Sequence, residues 1–336
     1  MHWGRSLLST VTVALSTVAL STVALSTVAL ALPAAAEAGG QAAEGKLVPV
    51  TGKASADLVA TRNERWTQAR IEEVIRTAKP IEPPVVDAPE APQVEEPAAP
   101  EQVIAEPAAA SGAAARNLPA PAAHGRMYIA NADGSSTGWC SASVVNSGAR
   151  NLINTAAHCL HSGAGGNWHF TEAFFVPGLH GTSQPHGIFW AQQWTVWSAW
   201  TDSSDDDYDY GFVNLFPRDD GQNVVDVVGA NGLRINSAFG QTVVVWGYPA
   251  NDGYPGDVPY YCDQATTYDG SASDSWVYVN CTMTGGASGG PWLDDYDYTA
   301  SLGYVIALTT RAGIDFDYSL SPYFDQSVAD LYYLVD

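Results

Sequence analysis

The chain has 336 residues, four cysteines and a net charge of −22. A charge this negative argues against nucleic acid or an anionic membrane surface as a partner, because both would repel the protein. The length allows about two domains, and the charge is unevenly placed: residues 1–116 hold 9 Lys and Arg against 13 Asp and Glu, whereas residues 117–336 hold 5 against 23.

The first 36 residues predict a signal peptide. Arg5 precedes an uncharged stretch over residues 6–32, which repeats the sequence VALST, and the small residues at 34–36 suit signal peptidase cleavage near Ala36. The stretch is longer than a usual signal core of about 7–15 residues. An uncleaved membrane anchor is therefore the alternative.

Residues 37–116 are predicted to be a mostly disordered propeptide that contains one helix. Over residues 57–79, the apolar side chains Ile71, Val74, Ile75 and Ala78 follow helical spacing, and Pro80 ends the pattern. Residues 80–121 then contain ten prolines, mixed with Ala and Glu. Such a composition buries too little apolar surface to offset its ordering entropy, which predicts a mobile linker. A simple spacer is the alternative to a propeptide that is removed on maturation.

From about residue 117 the sequence changes to an all-β pattern that runs to the C-terminus. Short apolar or β-branched runs alternate with clusters of Gly, Asn, Asp and Pro, and no long amphipathic helix interrupts them. Near the end, Ser321 as N-cap and Pro322 as first residue predict a short C-terminal helix. Barrels or a sandwich fit this pattern. The predicted strands cover residues 127–130, 143–145, 151–154, 173–176, 212–216, 242–247, 276–280 and 304–309.

The even number of cysteines favours disulfides in an exported protein. Four cysteines allow three connectivities, and the sequence does not choose among them. Sequential pairing would give two loops of equal length. Zinc is the alternative, but no Cys-x-x-Cys spacing is present, so we expect no metal site. The residues are Cys140, Cys159, Cys262 and Cys281.

The glycine-rich run around Ser288, GGASGGP over residues 285–291, is the most informative motif. A serine between glycines leaves room for a substrate backbone and can present unobstructed N–H groups to a developing oxyanion. All seven histidines precede Ser288, which excludes the α/β-hydrolase order of catalytic residues. A subtilisin order needs an Asp before the His, and only Asp133 lies between residue 117 and His158. The order His, Asp, Ser remains.

Two motifs resemble those of trypsin-like serine peptidases. The sequence TAAHC over residues 155–159 looks like the signature around the catalytic histidine, and GASGGP over residues 286–291 resembles the nucleophile loop. The similarity covers about residues 125–336 and looks nearest to secreted bacterial members of the glutamyl endopeptidase group. It implies a chymotrypsin-like double β-barrel.

The resemblance also implies roles for individual residues. Ser288 would be the nucleophile, His158 its general base, and the backbone N–H groups of Gly286 and Ser288 the oxyanion hole. The third member should be an Asp followed two residues later by a small residue and an apolar strand. Asp209 fits this pattern, and Asp207 is the reserve. In the family the half-cystine after the histidine pairs with one on the preceding strand, which would be Cys140.

The specificity pocket is predicted only weakly. The position six residues before the serine is Thr282, which offers no charge to attract Lys or Arg. Thr309 occupies the position where glutamyl endopeptidases carry a histidine, which argues against specificity for Glu. Arg311 is nearby but is expected to be exposed. We therefore expect an uncharged, moderately polar pocket.

Together these features predict a secreted, monomeric serine endopeptidase that cleaves proteins or peptides without a cofactor. The domains are expected to be a signal peptide over residues 1–36, a propeptide over residues 37–116 and a peptidase domain over residues 117–336. Contact with a membrane would be limited to the signal segment during export. The alternative is a catalytically idle, secreted binding module on the same fold.

Overall fold

Two curved β-sheets with short flanking helices make up the fold. A computed structural model describes residues 46–86, 99–111, 122–133, 135–251, 253–269, 276–313 and 317–336. These residues belong to one unit, Lys46–Asp336. The predicted signal peptide lies outside the described residues. Among the described residues, no helix is long and apolar enough to span a membrane.

The strands and helices are numbered in chain order. The strands are β1 (Pro49–Lys53), β2 (Val85–Val86), β3 (Gln102–Ala105), β4 (His124–Ala130), β5 (Ser136–Val145), β6 (Leu152–Thr155), β7 (Glu172–Pro177), β8 (Phe189–Trp197), β9 (Gly211–Leu215), β10 (Gly232–Ile235), β11 (Thr242–Gly247), β12 (Ala250–Asn251), β13 (Tyr254–Pro255), β14 (Tyr260–Asp269), β15 (Trp276–Val279), β16 (Pro291–Asp297), β17 (Leu302–Leu308), β18 (Arg311–Gly313) and β19 (Ser319–Pro322). The α-helices are α1 (Ala56–Ala60), α2 (Arg62–Arg65), α3 (Gln68–Thr77), α4 (Ser198–Ser203), α5 (Val224–Val228) and α6 (Gln326–Val335).

The first sheet closes into a six-stranded antiparallel barrel. Its strands follow the order β8-β7-β4-β5-β6-β9, and β9 pairs back with β8. Strands β4 and β7 are buried along their whole lengths, because one face lines the barrel and the other is covered from outside. The outer face presents Tyr128 and Phe174, whose rings stack with centroids 5.0 Å apart.

The second sheet has ten strands in the order β2-β18-β19-β15-β14-β11-β16-β17-β10-β3. The sheet curls so that β17 and β19 lie side by side. The backbone N–H of Leu308 donates to Ser321 Oγ at 3.0 Å, and the N–H of Thr310 donates to the Leu320 carbonyl at 2.9 Å. The fold is therefore all-β with two barrel-like sheets, as the sequence predicted.

The predicted propeptide is more ordered than its composition indicated. Instead of one helix it forms α1, α2 and α3, and strands β1, β2 and β3 join the two sheets. Ile71, Val74 and Ile75 are buried and pack in one cluster with Tyr128 and Phe174 on the outside of the barrel. The prediction of a mobile linker is wrong for residues 80–86 and 99–111, because main-chain pairing with the sheets orders them. The linker residues 87–98 and 112–121 lie outside the described residues.

The C-terminal helix is present but begins later than predicted. Asp325 caps α6 by accepting a hydrogen bond from the Ser327 N–H, whereas Ser321 and Pro322 belong to β19. The prediction of Ser321 as the cap is wrong because pairing with β15 holds this segment as a strand. The helix buries Val328, Leu331 and Val335, which lie on one face of the helix.

Candidate active site

The pairing of β6 with β9 brings His158 and Asp209 together. In this ladder Thr155 lies opposite Gly211. His158 lies three residues after Thr155, in the short 3-10 helix Ala157–Cys159, and Asp209 lies two residues before Gly211. Because antiparallel neighbours place the end of one strand beside the start of the other, both side chains lie at the same end of the barrel.

Asp209 holds His158 through two hydrogen bonds. The backbone N–H of His158 donates to Asp209 Oδ1 at 2.8 Å, and the ring atom Nδ1 lies 2.8 Å from Asp209 Oδ2. A carboxylate facing Nδ1 favours the tautomer that carries its proton there, which leaves Nε2 as the acceptor. Asp209 is fully buried and His158 is 8% exposed, so water competes little with these bonds.

Arg311 is a third partner in this group. Its Nη1 donates to Asp209 Oδ2 at 3.1 Å, and its side chain is almost fully buried. The expectation of an exposed arginine is wrong, because Arg311 is buried and its charge is paired with the buried Asp209 and with the partly exposed Asp206. Burial alone raises the pKa of Asp209. The charge and hydrogen bonds of His158 and the charge of Arg311 outweigh burial, and the pKa of Asp209 falls below its ordinary value.

The loop that carries Ser288 is attached to the first barrel through Ser141. The Ser141 N–H donates to the Ser288 carbonyl at 2.8 Å, and Ser141 Oγ donates to the Gly286 carbonyl at 2.8 Å. The preceding residue, Cys140, forms a disulfide with Cys159, which follows His158 in sequence. The loop that carries Ser288 and the segment that carries His158 are therefore anchored to neighbouring points on β5.

Two glycines in this loop are required by its backbone geometry. Gly286 and Gly289 have φ values of +87° and +82°, a conformation that side chains with a Cβ rarely adopt. A Cβ on Gly286 would lie 2.2 Å from the ring of Trp139, and one on Gly289 would lie 2.1 Å from Thr155 Oγ1. The glycine-rich motif thus lets the loop pack closely against the first barrel.

His158 Nε2 and Ser288 Oγ are buried, and neither has a hydrogen-bond partner in the part of the chain that the structure describes. Ser288 itself is fully buried. In peptidases without substrate, the bond between nucleophile and base is often long and tightens only on binding.

The remaining residues predicted for the site make other contacts than those with His158. Asp207 accepts a hydrogen bond from Trp276 Nε1 at 2.9 Å, whereas the carboxylate that faces His158 belongs to Asp209. Thr282 is exposed, and the buried Thr309 accepts from Trp292 Nε1 at 3.0 Å through its hydroxyl. Their role in a specificity pocket stays a prediction. Cys262 pairs with Cys281, so the two disulfides join cysteines that are successive in sequence.

Comparison with known proteins supports the trypsin-like resemblance. Residues 137–299, which include His158, Asp209 and Ser288, match the family model described as the trypsin-like peptidase domain. This part of the chain is similar to a trypsin-like peptidase domain. This match confirms the resemblance that the two sequence motifs indicated.

Solved structures agree with the trypsin-like assignment. A thermostable serine protease, AL20, from an extremophilic microorganism is 26% identical, with a TM-score of 0.58, and the match covers 64% of this chain and 96% of that one. The protease Anisep from Arthrobacter nicotinovorans is 27% identical, with a TM-score of 0.55, over 63% of this chain and 94% of that one. A Glu endopeptidase shares the fold at 18% identity, with a TM-score of 0.50, over 64% of this chain and 91% of that one.

One similar protein has a name that points to a metal. It is an "Extracellular metalloprotease" of Bacillus subtilis (strain 168), 28% identical over 184 residues, and the match spans only 54% of this chain and 54% of that protein. In the described part of the trypsin-like domain, one group of potential ligands comes together: Cys140, His158 and Cys159. Its two sulfur atoms form a disulfide, and His158 Nδ1 faces Asp209. These sulfurs are therefore not available as thiolate ligands.

Sequence reasoning missed two parts of the site. Ser141, which holds the nucleophile loop, follows Cys140 without any distinguishing motif. Ile81 lies in the proline-rich stretch, whose composition predicts a linker, yet its carbonyl accepts a hydrogen bond from the Gly286 N–H at 2.9 Å. Main-chain contacts of this kind have no side-chain signature in a sequence.

Proposed function

We propose that the protein is a serine endopeptidase that cleaves protein or peptide substrates. The observation that carries this proposal is the contact of Asp209 with both the backbone N–H and the Nδ1 of His158. That arrangement fixes the imidazole orientation and leaves Nε2 free to act as a base. The family match and the serine protease neighbours support the same activity.

In the proposed mechanism, Ser288 Oγ attacks the substrate carbonyl carbon while its proton passes to His158 Nε2. The negative charge that develops on the carbonyl oxygen is stabilised by the backbone N–H groups of Gly286 and Ser288. His158 then donates the proton to the leaving amine as the C–N bond breaks, and an acyl-enzyme forms. Water attacks the ester carbon, with its proton taken by His158 and returned to Ser288, and the carboxylic acid product leaves.

The substrate residue recognised next to the cleaved bond is proposed to be uncharged or moderately polar. Neither Thr282 nor Thr309 brings a charge, and the nearby Arg311 is neutralised by Asp206 and Asp209. A peptide library answers this question directly. A strong preference for Lys or Arg before the cleaved bond would contradict the proposal.

We further propose that the chain is exported and matured, with residues 1–36 as signal peptide, 37–116 as propeptide and 117–336 as peptidase domain. The two disulfides support an oxidising environment, and the relative from Bacillus subtilis is named as extracellular. Intact-mass measurement of the secreted product tests these boundaries. We expect its N-terminus between residues 117 and 127, and a product that retains residues 1–36 would contradict the signal peptide.

The central test is labelling of the matured protein with an organophosphonate, which reacts with activated serines. We expect one adduct, located at Ser288 by peptide mass mapping, and no adduct in the Ser288→Ala variant. A folded, matured protein that takes no label would instead support the idle binding module.

A further inference from the structure

We infer that residues 79–86, here called the strap, bind the active-site cleft as an intramolecular inhibitor that keeps the uncleaved chain latent. This inference rests on the proposed function, because it requires the cleft to be a peptide-binding site. The strap belongs to the proline-rich stretch and includes β2. It contacts both barrels on either side of Ser288.

The strap first pairs with β5 of the first barrel. The Trp139 N–H donates to the Lys79 carbonyl at 3.1 Å, and the Ile81 N–H donates to the Trp139 carbonyl at 3.0 Å. Pro80 lies between them in a parallel bridge with Trp139. Both main-chain groups of Trp139, two residues before Ser141, are therefore occupied.

The strap then crosses the nucleophile loop. The Ile81 carbonyl accepts the Gly286 N–H at 2.9 Å, and this N–H is one of the two proposed oxyanion donors. The Ile81 side chain is half-buried against the core of the first barrel. On the other side, Glu82 accepts a hydrogen bond from Asn251 Nδ2 at 2.6 Å. A donor already engaged by the strap is not available to a developing oxyanion, and Ser288 is fully buried.

The strap ends on the second sheet, where β2 lies beside β18. The Ala312 N–H donates to the Pro84 carbonyl at 3.2 Å, and Val85 and Val86 pair in parallel with Ala312 and Gly313. Strand addition of this kind is how a sheet edge binds an extended peptide. A peptide substrate would need the same edge and the same N–H of Gly286, so strap and substrate compete.

Covalent linkage favours the strap over a free substrate in this competition. The strap follows α3, whose residues Ile71 and Ile75 pack on the outside of the first barrel. A tethered peptide acts at a high effective concentration, so contacts that are weak individually suffice to hold it in the cleft. Release of the strap is therefore required before substrate can bind.

The test compares single substitutions at two positions of the full chain, one in the strap and one outside it. Ile81→Asp places a charge on the half-buried side chain that packs against the core. Val48→Asp places the same charge on a side chain that is 50% exposed and lies outside the strap, and it is the matched control. The measurement is the rate of organophosphonate labelling at Ser288. Ile81→Ala is a milder variant, which serves if the charge in Ile81→Asp prevents folding.

We expect Ile81→Asp to be labelled at least tenfold faster than the unaltered chain, Ile81→Ala to lie between them, and Val48→Asp to stay within about twofold of the unaltered chain. Equal and rapid labelling of all four proteins would overturn the strap inference while leaving the proposed function intact. If none is labelled although each unfolds cooperatively on heating, the proposed function fails, and the inhibitory role fails with it.

Discussion

Arg311 Nη1 lies 3.1 Å from Asp209 Oδ2, the same oxygen that faces His158 Nδ1 at 2.8 Å. The carboxylate is thus shared between an arginine that is always charged and the imidazole that it orients. The guanidinium also lies over the ring of Trp276, 4.9 Å from its centroid, which fixes its plane. In the proposed mechanism Arg311 is a positioning residue, because it would act on the substrate only through Asp209 and His158.

We predict that Arg311→Met lowers kcat and moves the acid limb of the pH–activity profile to higher pH. The charge of Arg311 is one of the causes that lower the pKa of Asp209. Its removal raises that pKa, so the carboxylate is lost at a higher pH. The measurement is kcat/KM against pH for the matured enzyme. Asp206→Asn is the control, because it leaves the Arg311–Asp209 contact in place and should not shift the profile.

A pair of variants distinguishes Asp209 from its reserve. Asp209→Asn should reduce kcat by about 10⁴-fold, because the amide no longer favours the productive tautomer of His158. Asp207→Asn should change kcat by less than about tenfold, since Asp207 contacts Trp276 rather than His158. Comparable losses in both variants would contradict the assignment of Asp209. Steady-state kinetics on a peptide substrate at neutral pH provides the comparison.

The ion pairs of Glu172 are predicted to hold the N-terminal helices on the barrel. Glu172 is the only Glu after residue 116 and its side chain is fully buried; Arg65 Nη2 lies 2.7 Å away and Arg62 Nε 3.5 Å away. Replacing both arginines with Met leaves a buried carboxylate without its charged partners, which costs about 3–5 kcal/mol. We expect these helices to be cleaved faster by an added protease.

Arg70→Met is the matched control for this substitution. Arg70 forms an ion pair with Glu73 at 3.7 Å on the same segment, and both side chains are well exposed. Exposed pairs contribute about 0–1 kcal/mol, so the cleavage rate should hardly change. If the double variant at Arg62 and Arg65 resists the protease as well as this control, Glu172 is not the anchor.

His124 is predicted to make the fold less stable in acid. Burial lowers the pKa of His124 from 6.5 to about 3, more than the hydrogen bond with Asn231 raises it. Between these values the unfolded chain binds a proton that the folded chain does not, so stability falls as pH falls, by up to about 1.4 kcal/mol per pH unit. Above pH 6.5 this contribution is constant. Protonation would also place a proton on His124 Nε2, which lies 3.0 Å from Asn231 Nδ2. Two hydrogen-bond donors would then face each other.

Urea unfolding between pH 4 and 7, in a Ser288→Ala background that prevents self-digestion, measures this effect. His124→Gln should flatten the dependence of the unfolding free energy on pH, because the buried titrating group is gone. His180→Gln, at an exposed position, should leave the dependence as it is. Parallel curves for the two variants would show that another group causes the acid sensitivity.

The sequence by itself predicted which residues form the candidate site. The motifs around His158 and Ser288 are local, and their glycines reflect backbone positions where a Cβ would collide with Trp139 or Thr155. The spacing of Asp209 before an apolar strand also predicted its position, since β9 pairs with β6 in the barrel. The burial of Ile71, Val74 and Ile75 followed from helical periodicity.

Only the tertiary structure decided which distant groups meet. The sequence predicts an exposed Arg311, whereas the packing of β18 places it beside Asp209. The sequence also allows three cysteine pairings, and the strand alignment selects one of them. The sequence does not predict that the strap is ordered, and the reason is physical. Proline-rich sequence lacks the apolar periodicity that predicts order, and the bonds that hold Ile81 to Trp139 and Gly286 are made by main-chain atoms, which every residue possesses.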